Sequence, residues 1–141
     1  MHVFRNAVDH GIEAPEERLN SGKPADGVIR CDVRAGDDFV EIAISDDGRG
    51  IDRRALDAKL ATDGGVIEAS QSLEDLVFRE GLSSREESTD VSGRGVGLAA
   101  VKHELDRLGG TVTGTSEIGA GACFRFRLPT RGRAPLQNIA A

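Results

Sequence analysis

The sequence predicts an α+β fold, a two-layer α/β sandwich with helices on one face of a mixed, mostly antiparallel sheet. Two observations carry that prediction. Strand-like runs come in pairs joined by tight turns, residues 28–34 with 39–45 and residues 111–116 with 123–128. A parallel sheet would instead alternate its strands with helices. The helix-like runs have one apolar stripe, so each has one face to bury and one to leave in water. A third observation bears on use. Asp46-Asp47-Gly48-Arg49-Gly50-Ile51 and Ser92-Gly93-Arg94-Gly95-Val96-Gly97 are two glycine-rich turns, each leading into a helix-like stretch. A carboxylate accepts a hydrogen bond from an exocyclic amine, and a glycine-lined helix start holds phosphates. A purine nucleotide offers both groups.

The first dozen residues read as an amphipathic helix, with His2, Asn6 and Asp9 on one face, His10 close by, and Val3, Phe4, Ala7 and Val8 on the other. Gly11 is its stop. Residues 14–24 are polar with a proline at each end and read as a loop with one helical turn. In the first strand Ile29, Cys31 and Val33 alternate, and in the second Val40, Ile42 and Ile44; Ala35-Gly36-Asp37-Asp38 between them is a hairpin turn. The second strand runs straight into the first glycine turn. Asp52 is placed to cap a short helix through Leu60, broken by residues 62–65, and a further helical stretch spans residues 73–78. Residues 80–92 are rich in Ser and Glu, lack periodicity and read as a loop. Residues 97–108 form a helix whose stripe is Leu98, Val101, Leu105 and Leu108, ended by Gly109-Gly110. In the last strand Phe124, Phe126 and Leu128 share a face. We expect one domain over residues 1–129 and a tail over 130–141.

Composition narrows the class. The chain has 141 residues, a net charge of -6 and no cluster of Lys and Arg, which argues against a nucleic-acid partner. There is no apolar run long enough to span a bilayer and no signal peptide, so the expectation is a cytoplasmic protein without a membrane partner. Cys31 and Cys123 sit in strand-like runs and read as small buried hydrophobes, not as a disulfide.

The common phosphate motifs fail. Gly22-Lys23 is followed by Pro24, so there is no P-loop. Leu98 stands where a dinucleotide fingerprint needs its third glycine, and residues 86–90 before the second box are no strand. The order of segments is more specific. A helix with Asn6 is followed by D-x-G-x-G at Asp46, Gly48 and Gly50, by a segment with Phe78, and by G-x-G-x-G at Gly93, Gly95 and Gly97. This order closely resembles the ATP-binding module shared by histidine kinases, gyrases, Hsp90 and MutL (the GHKL or HATPase superfamily, with a Bergerat-type fold). Arg5-Asn6-Ala7-Val8-Asp9-His10-Gly11-Ile12-Glu13, Pro15-Glu16-Glu17-Arg18 and Gly22-Lys23-Pro24 look like the chemotaxis-type (CheA-like) histidine kinases.

The resemblance implies roles for particular residues. Asn6 matches a Mg²⁺ ligand, and His2, one turn earlier, matches a histidine reaching the metal and phosphates; both would be catalytic. Asp9 and His10 match polar walls near ribose and phosphates. Asp46 matches the carboxylate that selects adenine, and Gly48 and Gly50 let the backbone approach the base. Ser92, Gly93, Arg94, Gly95, Val96 and Gly97 match the lid hinge and the helix start under the phosphates, with Arg94 either meeting a phosphate or facing solvent. Phe78 matches a lid-flanking aromatic or is simple core. His103-Glu104-Leu105 superficially resembles a phosphoacceptor box, but no Arg-Thr-Pro follows, and His103 reads as a surface helical residue.

Three departures from the pattern stand out. The sequence begins inside the first box, so we expect the ATP-binding domain to be N-terminally incomplete here, without the helix and strand that usually precede that box. Ala122 replaces the usual Thr or Ser after the last glycine, and Arg79-Glu80-Gly81-Leu82 replaces a Pro-Gly-Phe run. The function implied is binding of Mg·ATP and transfer of the γ-phosphoryl to a histidine on a separate phosphotransfer domain, with ATP and ADP as ligands and receptor-coupling and dimerisation domains as further partners outside this chain. Two alternatives stay open: an anti-sigma-type serine kinase, and a nucleotide-sensing interaction module without transferase activity.

Overall fold

A computed structural model describes residues 2–62, 71–78 and 98–130, leaving out the side chains of residues 2, 6, 59, 60 and 62. Strand β1 (Ile29–Ala35) pairs with β2 (Phe39–Asp46), and β3 (Thr111–Glu117) with β4 (Gly121–Pro129), each pair antiparallel. The alternation of apolar residues and the short turns dictate both hairpins, and Gly36 N–H closes the first on Phe39 O at 2.8 Å. Pairing of β2 with β4 joins them into one sheet of order β1-β2-β4-β3. All pairings among the described residues are antiparallel.

Register decides what each face carries. Cys31, Ile44, Phe124 and Gly114 lie in one row, and Val33, Ile42, Phe126 and Val112 in the next. Successive residues alternate, so Asp32, Ala43, Arg125 and Thr113 fall on the opposite, open face. The apolar face is covered by α4 (Leu73–Val77) and α5 (Leu98–Arg107), which pack against β3. Ile44, Phe78, Leu98, Leu105, Val112 and Phe126 form the buried core. Phe78 stands edge-on to Phe124 at 5.3 Å and to Phe126 at 6.0 Å between centroids, so it is a core residue. A fully buried ring of this kind contributes about 1.5–3 kcal/mol.

The Asp52 cap and the Gly109-Gly110 stop form as the sequence predicts, whereas α3 (Arg53–Thr62) runs past the expected end at Leu60, and the Ser72 cap of α4 is an addition to those expected. Asp52 Oδ1 accepts from Arg54 N–H at 2.9 Å and caps α3. Ser72 Oγ accepts from Asp75 N–H and caps α4. Gly110 N–H bonds Leu105 O at 2.9 Å and closes α5. His103 is 79% exposed on α5, a surface residue.

Three further expectations are corrected. The first helix is not uniform: α1 (His2–Asn6) passes into a π-helical turn (Ala7–Gly11), with Ile12 N–H bonded to Ala7 O at 2.8 Å. Only Val3 and Ala7 of its expected apolar face turn inward, while Phe4 and Val8 are 39% and 59% exposed. The core admits one stripe of this helix, and Phe4 and Val8 lie about 100° around the axis from it. Cys31 is exposed instead of buried, and Val33 is 64% exposed, because β1 is the edge strand, away from the half of the sheet that α4 and α5 cover. Cys31 and Cys123 are both free, and alternation puts them on opposite faces of the sheet. Residues 14–24 form more helix than expected, as α2 (Pro15–Asn20).

Candidate nucleotide site

Asp46 ends β2 on the same face as Ile42 and Ile44, where the chain leaves the sheet. Its Oδ1 accepts from Gly48 N–H at 3.0 Å, a local turn that aspartate side chains favour. Among the described residues no donor reaches Oδ2, and Asp46 is only half-buried. The carboxylate is therefore held by one oxygen with the other available.

Three chain segments meet here. Gly11, at the end of the π turn, accepts from Arg49 N–H through its carbonyl at 2.8 Å. Gly48 is buried so closely against Gly11 that a Cβ there would run into the Gly11 carbonyl. A Cβ on Gly11 would stand 3.6 Å from the Asp46 carboxylate, so the first helix ends directly over it. The β3–β4 turn closes the other side. Gly119 N–H donates to Arg49 O at 2.8 Å, Ile51 N–H donates to Ser116 Oγ at 2.8 Å, and Ser116 Oγ donates to Gly121 O at 3.0 Å. Gly121 has φ 100°, and a Cβ there would strike the Asp46 carbonyl. Both the left-handed backbone and the close approach require glycine. Ala122 follows on the face of Phe124, the same face as Asp46.

A second group of residues holds this turn, and sequence reasoning assigned it no role. Arg18, in α2, is fully buried. Its Nε donates to Pro24 O at 2.8 Å, Nη1 to Glu13 Oε2 at 3.1 Å and Asp47 O at 3.3 Å, and Nη2 to Asp26 O at 3.2 Å and Asp47 Oδ2 at 2.8 Å. Lys23 Nζ donates to Glu13 Oε1 at 2.7 Å, Asp47 O at 2.9 Å and Gly48 O at 2.7 Å. Val28 N–H donates to Asp47 Oδ1 at 2.8 Å. In the sequence Glu13, Arg18 and Lys23 belong to the segments that resemble CheA-like kinases and recur at five-residue steps, but nothing there joins them to the Asp46 turn. That spacing matches neither a helix face nor a strand face.

The network shifts protonation equilibria. The Lys23 bond, joined by Arg18, holds the Glu13 carboxyl below its usual 4.5. Burial pushes the Asp47 carboxyl up, but bonds from Val28 N–H and Arg18 outweigh it and hold Asp47 below its usual 3.8. The Asp47 bond, with Glu13, raises Arg18 further above its ordinary value. Both carboxyls have lower pKa values folded than unfolded, so the unfolded chain takes up protons first as pH falls. Their stabilisation is complete above the unfolded values and is lost as pH drops through the folded ones. Thermal unfolding midpoints measured from pH 7 to pH 3 should therefore fall below about pH 4.5 in the parent. Glu13→Gln should start lower and fall less steeply over that range; an equal slope refutes the assignment.

Asp46 and Gly48 lie against the helix end at Gly11, Gly50 packs on the β3–β4 turn against the Glu117 carbonyl, and Asp9 and His10 lie exposed in the π turn just before Gly11. His2 and Asn6 lie in α1, with side chains outside the described set. Ser92, Gly93, Arg94, Gly95, Val96 and Gly97 lie outside the described residues, as do residues 80–91, 79 and the tail from 131. Among the described residues no group of three or more His, Cys, Asp or Glu could hold a metal ion, and no helix is long and apolar enough to cross a membrane.

The model of the histidine kinase-, DNA gyrase B- and HSP90-like ATPase family matches residues 1–132. The chain belongs to this family. Within it the chain is a GHKL-type ATP-binding domain closely related to CheA-type histidine kinases. It is 41% identical over 136 residues to the gliding motility regulatory protein of Myxococcus xanthus. It is 43% identical over 134 residues to the chemotaxis protein CheA of Treponema pallidum. Each match takes in 92% of this chain but only 17% and 16% of those relatives' lengths. The histidine kinase domain of the blue-light activated histidine kinase from Erythrobacter litoralis EL346 superposes with TM-score 0.52. That match covers 91% of this chain and 40% of that one at 16% identity, a likeness of fold. It agrees with the α+β architecture, sheet and one-sided helices, read from the sequence.

Proposed function

We propose that this domain binds Mg·ATP and delivers the γ-phosphoryl to a histidine on a separate phosphotransfer domain, as a histidine kinase catalytic module in chemotaxis-type two-component signalling. The observation that carries the reading is Asp46, a half-buried carboxylate fixed through Oδ1 in a turn lined by Gly11, Gly48 and Gly121. A single fixed acceptor beside closely approachable backbone suits the exocyclic amine of adenine, so the residues present fit the nucleotide. The helix that ends on this turn carries Asp9 and His10 as walls for ribose and phosphates, with Asn6 about one turn and His2 about two turns earlier. Asn6, aided by His2, would hold Mg²⁺ through its amide oxygen, with phosphate and water oxygens completing the shell of this hard cation. Bound there, the metal supplies neutralisation of charge on the transferring phosphoryl. Residues 92–97 are assigned to the phosphates.

This chain's own contribution is positioning, and it needs no general base of its own, because the acceptor imidazole is the nucleophile. The acceptor, dimerisation and receptor-coupling domains are partners outside these 141 residues. The test is incubation with γ-labelled ATP, alone and with a histidine-phosphotransfer domain. Acid-labile, base-stable label should pass to the added domain and not to this chain. His103 is five residues along α5 from Leu98, about 7.5 Å of helical rise, and faces solvent, whereas in-line attack needs about 3 Å. Stoichiometric self-labelling lost in His103→Ala would overturn that assignment. Binding without transfer to any acceptor would leave the domain a nucleotide sensor.

A further inference from the structure

We propose that Lys23, seconded by Arg18, is a specificity-positioning residue: it fixes the peptide group between Asp47 and Gly48, and through it the carboxylate oxygen that Asp46 presents to the base. This inference rests on the nucleotide reading above and deepens it. The Asp47–Gly48 peptide faces two ways. Its oxygen accepts from Lys23 Nζ at 2.9 Å and Arg18 Nη1 at 3.3 Å. Its N–H donates to Asp46 Oδ1 at 3.0 Å. Two cations at the oxygen draw electron density from the amide and make its N–H a stronger donor, which strengthens the bond on the far side.

Lys23 has no spare capacity. An ammonium has three donors, and Glu13 Oε1, Asp47 O and Gly48 O take all three. Holding two consecutive carbonyls with one ammonium fixes the peptide between them against rotation. Asp46 Oδ1 is thereby kept occupied, and Oδ2 is left as the acceptor. Rejection of guanine depends on that rigidity. The guanine 6-oxo group meets Oδ2 acceptor against acceptor, a repulsion that counts only while the carboxylate cannot turn or admit water. Lys23 acts at one remove from the base, through Gly48 and Asp46.

Lys23→Met keeps the stem and removes the donors, and Lys23→Arg restores a cationic donor. Calorimetry with ATP and GTP should show the affinity ratio of the parent falling about tenfold or more in Lys23→Met and recovering in part in Lys23→Arg. A merely structural role would weaken both nucleotides together and leave the ratio intact. In the nucleotide-free chain the Gly48 amide should exchange with solvent about tenfold faster in Lys23→Met. A folded Lys23→Met that retains both the ratio and the Gly48 protection overturns the proposal. Should Lys23→Met not fold, the parent decides: its Lys23 ammonium must give a slowly exchanging nitrogen resonance coupled to the Asp47 and Gly48 carbonyls, and a freely exchanging one overturns the proposal. A parent that binds ATP and GTP alike overturns the adenine reading itself, whereas a selective parent with an equally selective Lys23→Met overturns only the role of Lys23.

Discussion

Asp46→Ala is expected to lower ATP affinity about 10–100-fold and to abolish preference for ATP over GTP. The adenine amine would lose its acceptor and, once buried, would stay unpaired at a cost of about 1–3 kcal/mol. GTP affinity should fall little or rise, because the substitution also removes the oxygen that opposes the 6-oxo group. Asp46→Asn gives the complementary result, since its amide offers guanine a donor, and preference should move toward GTP. Calorimetry on the three chains reads all of this. Equal affinities of the parent for ATP and GTP, or an Asp46→Ala chain that binds as the parent does, would remove the adenine assignment.

Asn6→Ala should reduce phosphoryl transfer on the order of 100-fold or more while changing metal-free nucleotide affinity by less than about threefold. The base is held at the far end of the first helix by Asp46, whereas Asn6 is assigned to the metal. Losing that ligand removes charge neutralisation at the reacting phosphoryl and leaves base recognition in place. Label transfer to an added phosphotransfer domain, set against affinity measured with and without Mg²⁺, separates the two. Equal losses in both would mean that Asn6 serves the helix and not the metal.

The parts of the fold written in local alternation were legible. Both hairpins, the Asp52 cap and the stripe of α5 depend on residues within a few positions of one another, and each formed as read, except that Leu108 falls just past the end of α5. The exposure of Cys31 and Val33 was not legible, since alternation says that two residues share a face and not whether anything covers that face. The π turn after Asn6 was equally hidden: the apolar spacing of Val3, Phe4, Ala7 and Val8 suits a plain helix, and no local signal marks the Ile12 N–H to Ala7 O bond that widens it.

The candidate site divides in the same way. The Asp46 turn and its kinship with GHKL ATPases were readable without coordinates, because the carboxylate and the glycines that let the backbone close in are adjacent in the chain. What holds that turn in place emerges from the fold alone. Glu13, Arg18 and Lys23 lie more than twenty residues from Asp47, and although they sit in segments that mark the kinship, nothing in the sequence links them to the turn. They become a brace because α2 carries Arg18 under the turn, away from water, where a guanidinium persists only if its donors are met. The carbonyls and carboxylates that meet them are gathered by the fold from separate stretches of chain.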